Sequence, residues 1–208
     1  MMLKGFFGYY NKKRRLFKRQ NRTYDKGQTI FIGDSITDMC NLDKYYGGLP
    51  LKVYNRGISG DVTQGVIDRL DVSLYALAPS VVVILIGIND VNNDGRDKNY
   101  ILANYEIILD EIKKNLPKSK VIIQSIYPVN DDVHNIAKNT GVIISVNEGL
   151  KVLADKYGYV YADIFGELED GNNRLLSAYA TDGLHLNERG YEVVSKKLKG
   201  RLYKVINE

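Results

Sequence analysis

Ser35 closes the run Thr29-Ile30-Phe31-Ile32-Gly33-Asp34-Ser35. An apolar stretch stopped by a glycine is the pattern of a buried strand ending in a tight turn. In parallel α/β sheets the ends of such strands carry the active sites. His185 is one of two histidines in the chain, and Asp182 lies three residues before it. A serine hydroxyl attacks an acyl carbon when a base takes its proton, a carboxylate orients that base and N–H donors meet the developing oxyanion. Ser35, His185 and Asp182 have the types for the first three roles. Donors are on offer from the Ser35 amide, the Gly60 amide in Ser59-Gly60-Asp61, and the side chain of Asn89 in Gly87-Ile88-Asn89-Asp90.

Each of these residues also has a plainer use. A Gly-Asp-Ser turn can cap a helix, and Asn-Asp can close a turn after a strand. Asp182 and His185 could ligate a metal together with Asp34 or Asp38. Zinc sites draw on more His and Cys than this chain brings to one place, so no metal is expected. His134 has no evident carboxylate partner and reads as a surface residue or pocket wall. Cys40 is the single cysteine and reads as structural.

The elements that must position these residues alternate along the chain. Leu51 to Asn55 reads as a short second strand, and Asp61 as the cap of a helical pattern through Val62, Val66, Leu70 and Leu74 to Pro79. Ser80 to Ile88 is an unbroken β-branched and apolar run, the mark of a central parallel strand buried on both faces. Tyr100 to Leu116 has helical periodicity, Lys120 to Ile126 reads as a strand, and a longer helical segment reaches Tyr157. Tyr159 to Ile164 forms the last strand, and Asn187 to Ile206 a final amphipathic helix. Such alternation predicts a parallel sheet covered by helices on both faces. The expected fold is a three-layer α/β/α sandwich of flavodoxin-like type, with five strands in the order 2-1-3-4-5. All the Gly-, Asp- and Asn-rich turns then fall on one edge of the sheet.

Four of these turns together resemble the SGNH (GDSL-type) hydrolase family. The blocks are Gly33-Asp34-Ser35-Ile36, Asn55-Arg56-Gly57-Ile58-Ser59-Gly60-Asp61, Gly87-Ile88-Asn89-Asp90 and Asp182-Gly183-Leu184-His185. The resemblance implies Ser35 as nucleophile, Asp182 and His185 as the acid–base pair, and an oxyanion hole from the amides of Ser35 and Gly60 and the side chain of Asn89. Gly57 competes with Gly60 for the second block, and Ser-Gly-Asp fits better. The implied activity is that of a serine esterase or acylhydrolase acting on a small-molecule ester, without cofactor or metal. Ser125-Ile126-Tyr127-Pro128-Val129-Asn130 and Thr181-Asp182-Gly183-Leu184-His185-Leu186-Asn187 look most like the branch of platelet-activating-factor acetylhydrolases and bacterial lysophospholipases. A carbohydrate O-acetylesterase and a noncatalytic binding protein on the same fold are the alternatives. The nucleophile-elbow signature Gly-x-Ser-x-Gly is absent, since Ile36-Thr37 follow Ser35.

Composition narrows the classes further. At 208 residues, 44% hydrophobic and 26% charged, the chain has the make-up of a soluble globular domain. One cysteine excludes an intrachain disulfide framework and fits a reducing compartment, so a cytoplasmic location without a signal peptide is expected. The net charge of +4 conceals a split. Residues 1–26 carry nine Lys or Arg against Asp25 alone, and the rest is acidic by four charges. Residues 1–26 are therefore read as a basic N-terminal extension, and 27–208 as the single hydrolase domain. The extension suits weak contact with a membrane surface, or a solvated segment whose aromatics pack on the domain. No nucleic-acid partner and no transmembrane segment are expected.

Overall fold

The computed structural model describes residues 2–92, 95–133 and 140–207, with side chains from residue 8 onward. In chain order, its first half contains α1 (Met2–Gln20), β1 (Thr29–Gly33), α2 (Ser35–Asp38), α3 (Leu42–Tyr46), β2 (Val53–Gly57), α4 (Thr63–Ile67), α5 (Leu70–Ser73) and β3 (Val81–Leu85). The second half contains α6 (Ile88–Asn92), α7 (Lys98–Asn115), β4 (Lys120–Gln124), α8 (Thr140–Tyr157), β5 (Val160–Ala162), α9 (Phe165–Leu168) and α10 (Glu188–Asn207). The strands form one parallel sheet in the order β2-β1-β3-β4-β5, as the alternation predicts.

Successive side chains of a strand point to opposite faces, and this sheet has a core on each. Ile30, Ile32, Val82, Ile84 and Ile123 pack with apolar residues of α4, α5, α7 and α8. Phe31, Val81, Val83 and Ile122 pack with those of α3, α9 and α10. β1 and β3 are buried along their whole length, which is why their sequences show no polar alternation. Register then gathers the turns. Gly33 pairs with Gly57 on one side and with Leu85 on the other, so the segments after β1, β2 and β3 leave the sheet side by side.

Several boundaries differ from the sequence reading. β2 runs two residues later than Leu51 to Asn55, because Thr29 of β1 registers on Val53. The helical pattern after Asp61 splits into α4, α5 and a 3-10 turn at Tyr75–Leu77. Asp61 does not cap α4: Val62 holds the N-cap position, while the Asp61 carboxylate is drawn to Arg69. Asp38 to Pro50 shows no clear period in the sequence and Asn89 to Asn99 reads as a polar loop, yet the first holds the short helix α3 and the second begins inside α6. His134 lies outside the described residues.

Residues 1–26 showed no element in the sequence, yet they contain a 19-residue helix. Phe17 of α1 is 1% exposed and clusters with Tyr10 and Ile58. The buried guanidinium of Arg56 lies over the rings of Phe17 and Tyr24 and donates to Gln20 Oε1 (2.7 Å) and Asn21 Oδ1 (2.8 Å). Burial lowers its pKa to about 10, so the cation persists at neutral pH. No helix among the described residues is long and apolar enough to cross a membrane.

Candidate active site

β1 delivers Ser35 to the carboxyl edge of the sheet as the first residue of α2. The cap of that helix is Asp34, whose Oδ1 accepts from the Ile36 amide at 3.0 Å. Ser35 therefore need not cap anything, and its hydroxyl is available to His185. Ser35 Oγ lies 3.0 Å from His185 Nε2, and His185 Nδ1 lies 2.7 Å from Asp182 Oδ2.

Asp182 and His185 share one tight turn. Asp182 Oδ1 accepts from the amides of Leu184 (3.0 Å) and His185 (2.7 Å), while Gly183 takes the left-handed conformation at φ 81°. That leaves Oδ2 aimed at the imidazole. Partial burial on its own would raise the Asp182 pKa. The hydrogen bonds from the His185 ring and from the two amides overcome this and hold it at about 2. An ionised carboxylate only accepts, so Nδ1 carries the imidazole proton and Nε2 faces the serine hydroxyl as an acceptor. A second contact anchors the turn from outside, where the Asn130 amide donates to Gly183 O at 2.8 Å. That contact gives the Ser125–Asn130 block a structural purpose.

The candidate oxyanion donors collect on the other side of Ser35. Gly60 has φ 80°, a conformation that favours glycine and is costly for a side chain bearing Cβ. Among the described residues, neither the Ser35 amide nor the Gly60 amide donates a hydrogen bond. The Gly57 amide, by contrast, is committed to Asn55 Oδ1 at 2.8 Å. Asn89 in α6 is buried and donates from Nδ2 to Asp61 O at 2.9 Å, which ties the third block to the second. All five sequence-predicted site residues thus lie on the same edge of the sheet. Ser35, His185 and Asp182 are in direct contact, and Asn89 sits against the Gly60–Asp61 turn.

Beneath this edge lies a polar layer that sequence reasoning missed. Asp61 and Arg69 form a fully buried ion pair at 2.8 Å. Three more Arg69 N–H groups donate to Arg56 O, Ser73 Oγ and Gly33 O, the last being the end of β1. Asp90 accepts from the Thr63 amide (2.9 Å) and hydroxyl (2.5 Å). Asp34 is buried, and its Oδ2 has no partner among the described residues. Burial first, and then the charges of Asp61 and Asp90, raise its pKa to about 7.

A second missed group joins α1 to the site. The Asp38 carboxylate, one helical turn after Ser35, accepts from Tyr9 Oη (2.6 Å), Lys13 Nζ (2.6 Å), Ser59 Oγ (2.8 Å) and the Ser59 amide (3.0 Å). Ser59 directly precedes Gly60, so α1 braces the turn that carries a candidate oxyanion donor. The only sequence signal for this was the acid at position 38. Asp34 and Asp38 are thus turned to other partners rather than to Asp182 and His185. No group of three His, Cys, Asp or Glu residues among the described residues is arranged to hold a metal ion.

A doubly covered parallel sheet with a Ser–His–Asp contact at its carboxyl edge is the architecture of a serine-hydrolase class. Within it, the chain belongs to the GDSL-like lipase/acylhydrolase family, whose model matches residues 31–193. Platelet-activating factor acetylhydrolase IB subunit alpha2 of Rattus norvegicus is 27% identical over 183 residues, which are 86% of this chain and 77% of the relative. A Streptococcus pneumoniae structure described as a platelet activating factor superposes with a TM-score of 0.90 at 30% identity, covering 97% of this chain and 96% of the other. An acetyl-xylooligosaccharide esterase from Geobacillus shares the fold at a TM-score of 0.70 and 20% identity, covering 86% and 94%.

Proposed function

We propose that the protein is a serine esterase that cleaves short acyl esters through an acyl-enzyme on Ser35. The observation that carries this reading is the unbroken chain Ser35 Oγ, His185 Nε2, His185 Nδ1, Asp182 Oδ2, with steps of 3.0 and 2.7 Å. In the reaction, Ser35 Oγ bonds to the ester carbonyl carbon as its proton passes to His185 Nε2. Asp182 stabilises the imidazolium that forms. The tetrahedral oxyanion accepts from the amides of Ser35 and Gly60 and from the Asn89 side chain. Collapse breaks the bond to the alkoxide, which leaves with the proton from Nε2. Water then attacks the acyl-enzyme by the same steps, and the acid and Ser35 are released.

The surroundings favour small acyl groups. The turn holding Asp182 and His185 is partly open, with the Asp182 side chain 43% exposed, and among the described residues the turns 59–61, 87–90 and 182–185 bring mostly small and polar residues to this edge. The similarity to acetylhydrolases supports an acetyl ester of a phospholipid-like alcohol. Turnover of p-nitrophenyl esters from acetate upward, beside acetylated sugars and an acetylated lysophospholipid, tests this. The expected profile falls with acyl length and includes the phospholipid ester. Exclusive activity on the sugars would move the assignment to a carbohydrate O-acetylesterase, and no hydrolysis of any ester would leave a binding protein.

A further inference from the structure

α1 contains seven Lys or Arg residues and no acid, and the structure divides its described cations into two sets. Lys13 and Arg14 turn inward, to Asp38 (2.6 Å) and Asp71 (4.0 Å). Lys12, Arg15, Lys18 and Arg19 are exposed and form no ion pair among the described residues. At 3.6 residues per turn these four fall within about a third of the helix circumference, opposite the buried Tyr10 and Phe17. Arg22, just past the helix, continues the exposed row.

This stripe is held rigidly rather than carried on a free tail. Phe17 is buried against the domain, Tyr10 Oη donates to Gly65 O at 2.7 Å, and Arg56 grips the end of the helix through Gln20 and Asn21. Tyr9 and Lys13 fix the same helix to Asp38, one turn from Ser35. Concentrated positive charge at a fixed orientation beside a hydrolytic site has to face something anionic, or repel itself in solvent.

We propose that the outward face of α1 docks the protein on an anionic phospholipid bilayer. A flat surface can meet the stripe alone. A polyanion that wraps the protein would also meet the remainder of the chain, which is acidic by four charges. The stripe is accompanied by exposed Tyr9 and half-buried Leu16. Cations beside aromatic and aliphatic groups are the make-up of helices that lie in the headgroup boundary. Docking of this kind goes beyond ester cleavage and does not depend on it.

Co-sedimentation of the full chain with phosphatidylcholine vesicles, with and without phosphatidylglycerol, tests the proposal. The protein should pellet with the anionic vesicles only and be released by salt. Near an anionic surface each cation contributes about a fivefold gain in binding. Replacing Lys12, Arg15, Lys18 and Arg19 together by Gln should therefore weaken binding at least tenfold, with turnover of a water-soluble ester unchanged. A variant with Lys113, Lys118, Lys151 and Lys196 replaced by Gln loses the same charge elsewhere and should still pellet. The proposal is overturned if the wild type stays in the supernatant, if both variants lose binding equally, or if duplex DNA is bound as tightly as the vesicles. Absence of ester turnover would leave these binding results intact and would count only against the esterase reading.

Discussion

The two sides of the proposed site, the acid–base turn and the oxyanion donors, draw on the chain differently. Asp182, Gly183, Leu184 and His185 are consecutive, ordered by two amide bonds to one carboxylate, and half open to solvent. The oxyanion side, as proposed, is assembled from three segments that sheet register brings together and that Asn89 and Arg69 tie across. It rests on a buried layer containing Asp34, Asp61, Arg69 and Asp90. A local, exposed turn can lose a functional atom without loosening the fold, whereas a buried polar layer couples chemistry to stability.

Substitutions on the two sides should therefore separate activity from folding. Asp182→Asn removes the charge that fixes the imidazole and its tautomer, and kcat should fall by about 10⁴-fold with the thermal midpoint only slightly lowered, since the carboxylate is partly exposed. A drop of less than tenfold would take Asp182 out of the catalytic set. On the oxyanion side, Asn89→Ala should lower kcat by about 10²–10³-fold, the scale for one donor. It should also reduce stability, because Asp61 O loses its buried partner. KM should change far less than kcat.

Arg69→Met places the comparison wholly in the buried layer. It leaves the Asp61 carboxylate buried and unpaired, so urea unfolding should show a loss of about 3–5 kcal/mol. A neutral result would show that water or a rearranged partner reaches the layer. The smallest effect concerns pH. The folded-state pKa of Asp34 is about 7, above its ordinary 3.8, so between about pH 4 and 7 the folded protein binds more protons than the unfolded chain. Stability from this group is present at low pH and is lost as pH rises through that window. Asp34→Asn keeps the acceptor for the Ile36 amide and should flatten the decline in thermal midpoint from pH 5 to 8. Parallel slopes for the two proteins would assign the titration elsewhere.

What could be read from the sequence follows the same division. β3 was legible because a fully buried parallel strand writes itself as a β-branched run. The site residues were legible because their types are few and their turns glycine-marked. Arg56 and Arg69 were not, since nothing in a sequence distinguishes a solvated arginine from one buried under a sheet edge. Arg69 also explains the broken helix after Asp61: the apolar spacing through Leu74 continues, but the chain bends where its side chain turns inward to Gly33 O and Asp61. α1 was hidden by its own charge. Tyr10 and Phe17 are seven residues apart on one face, a spacing that means little until Ile58 is placed against them.

The claim on which both sides depend is that Ser35 is the nucleophile. Its most direct test is the turnover of p-nitrophenyl acetate by Ser35→Ala, read beside intact mass of the wild type during turnover. If Ser35 is the nucleophile, kcat/KM of the folded variant falls by at least about 10⁴-fold, and the wild type carries one acetyl group on Ser35. Turnover retained by Ser35→Ala, or an acetyl group on another residue, would contradict it.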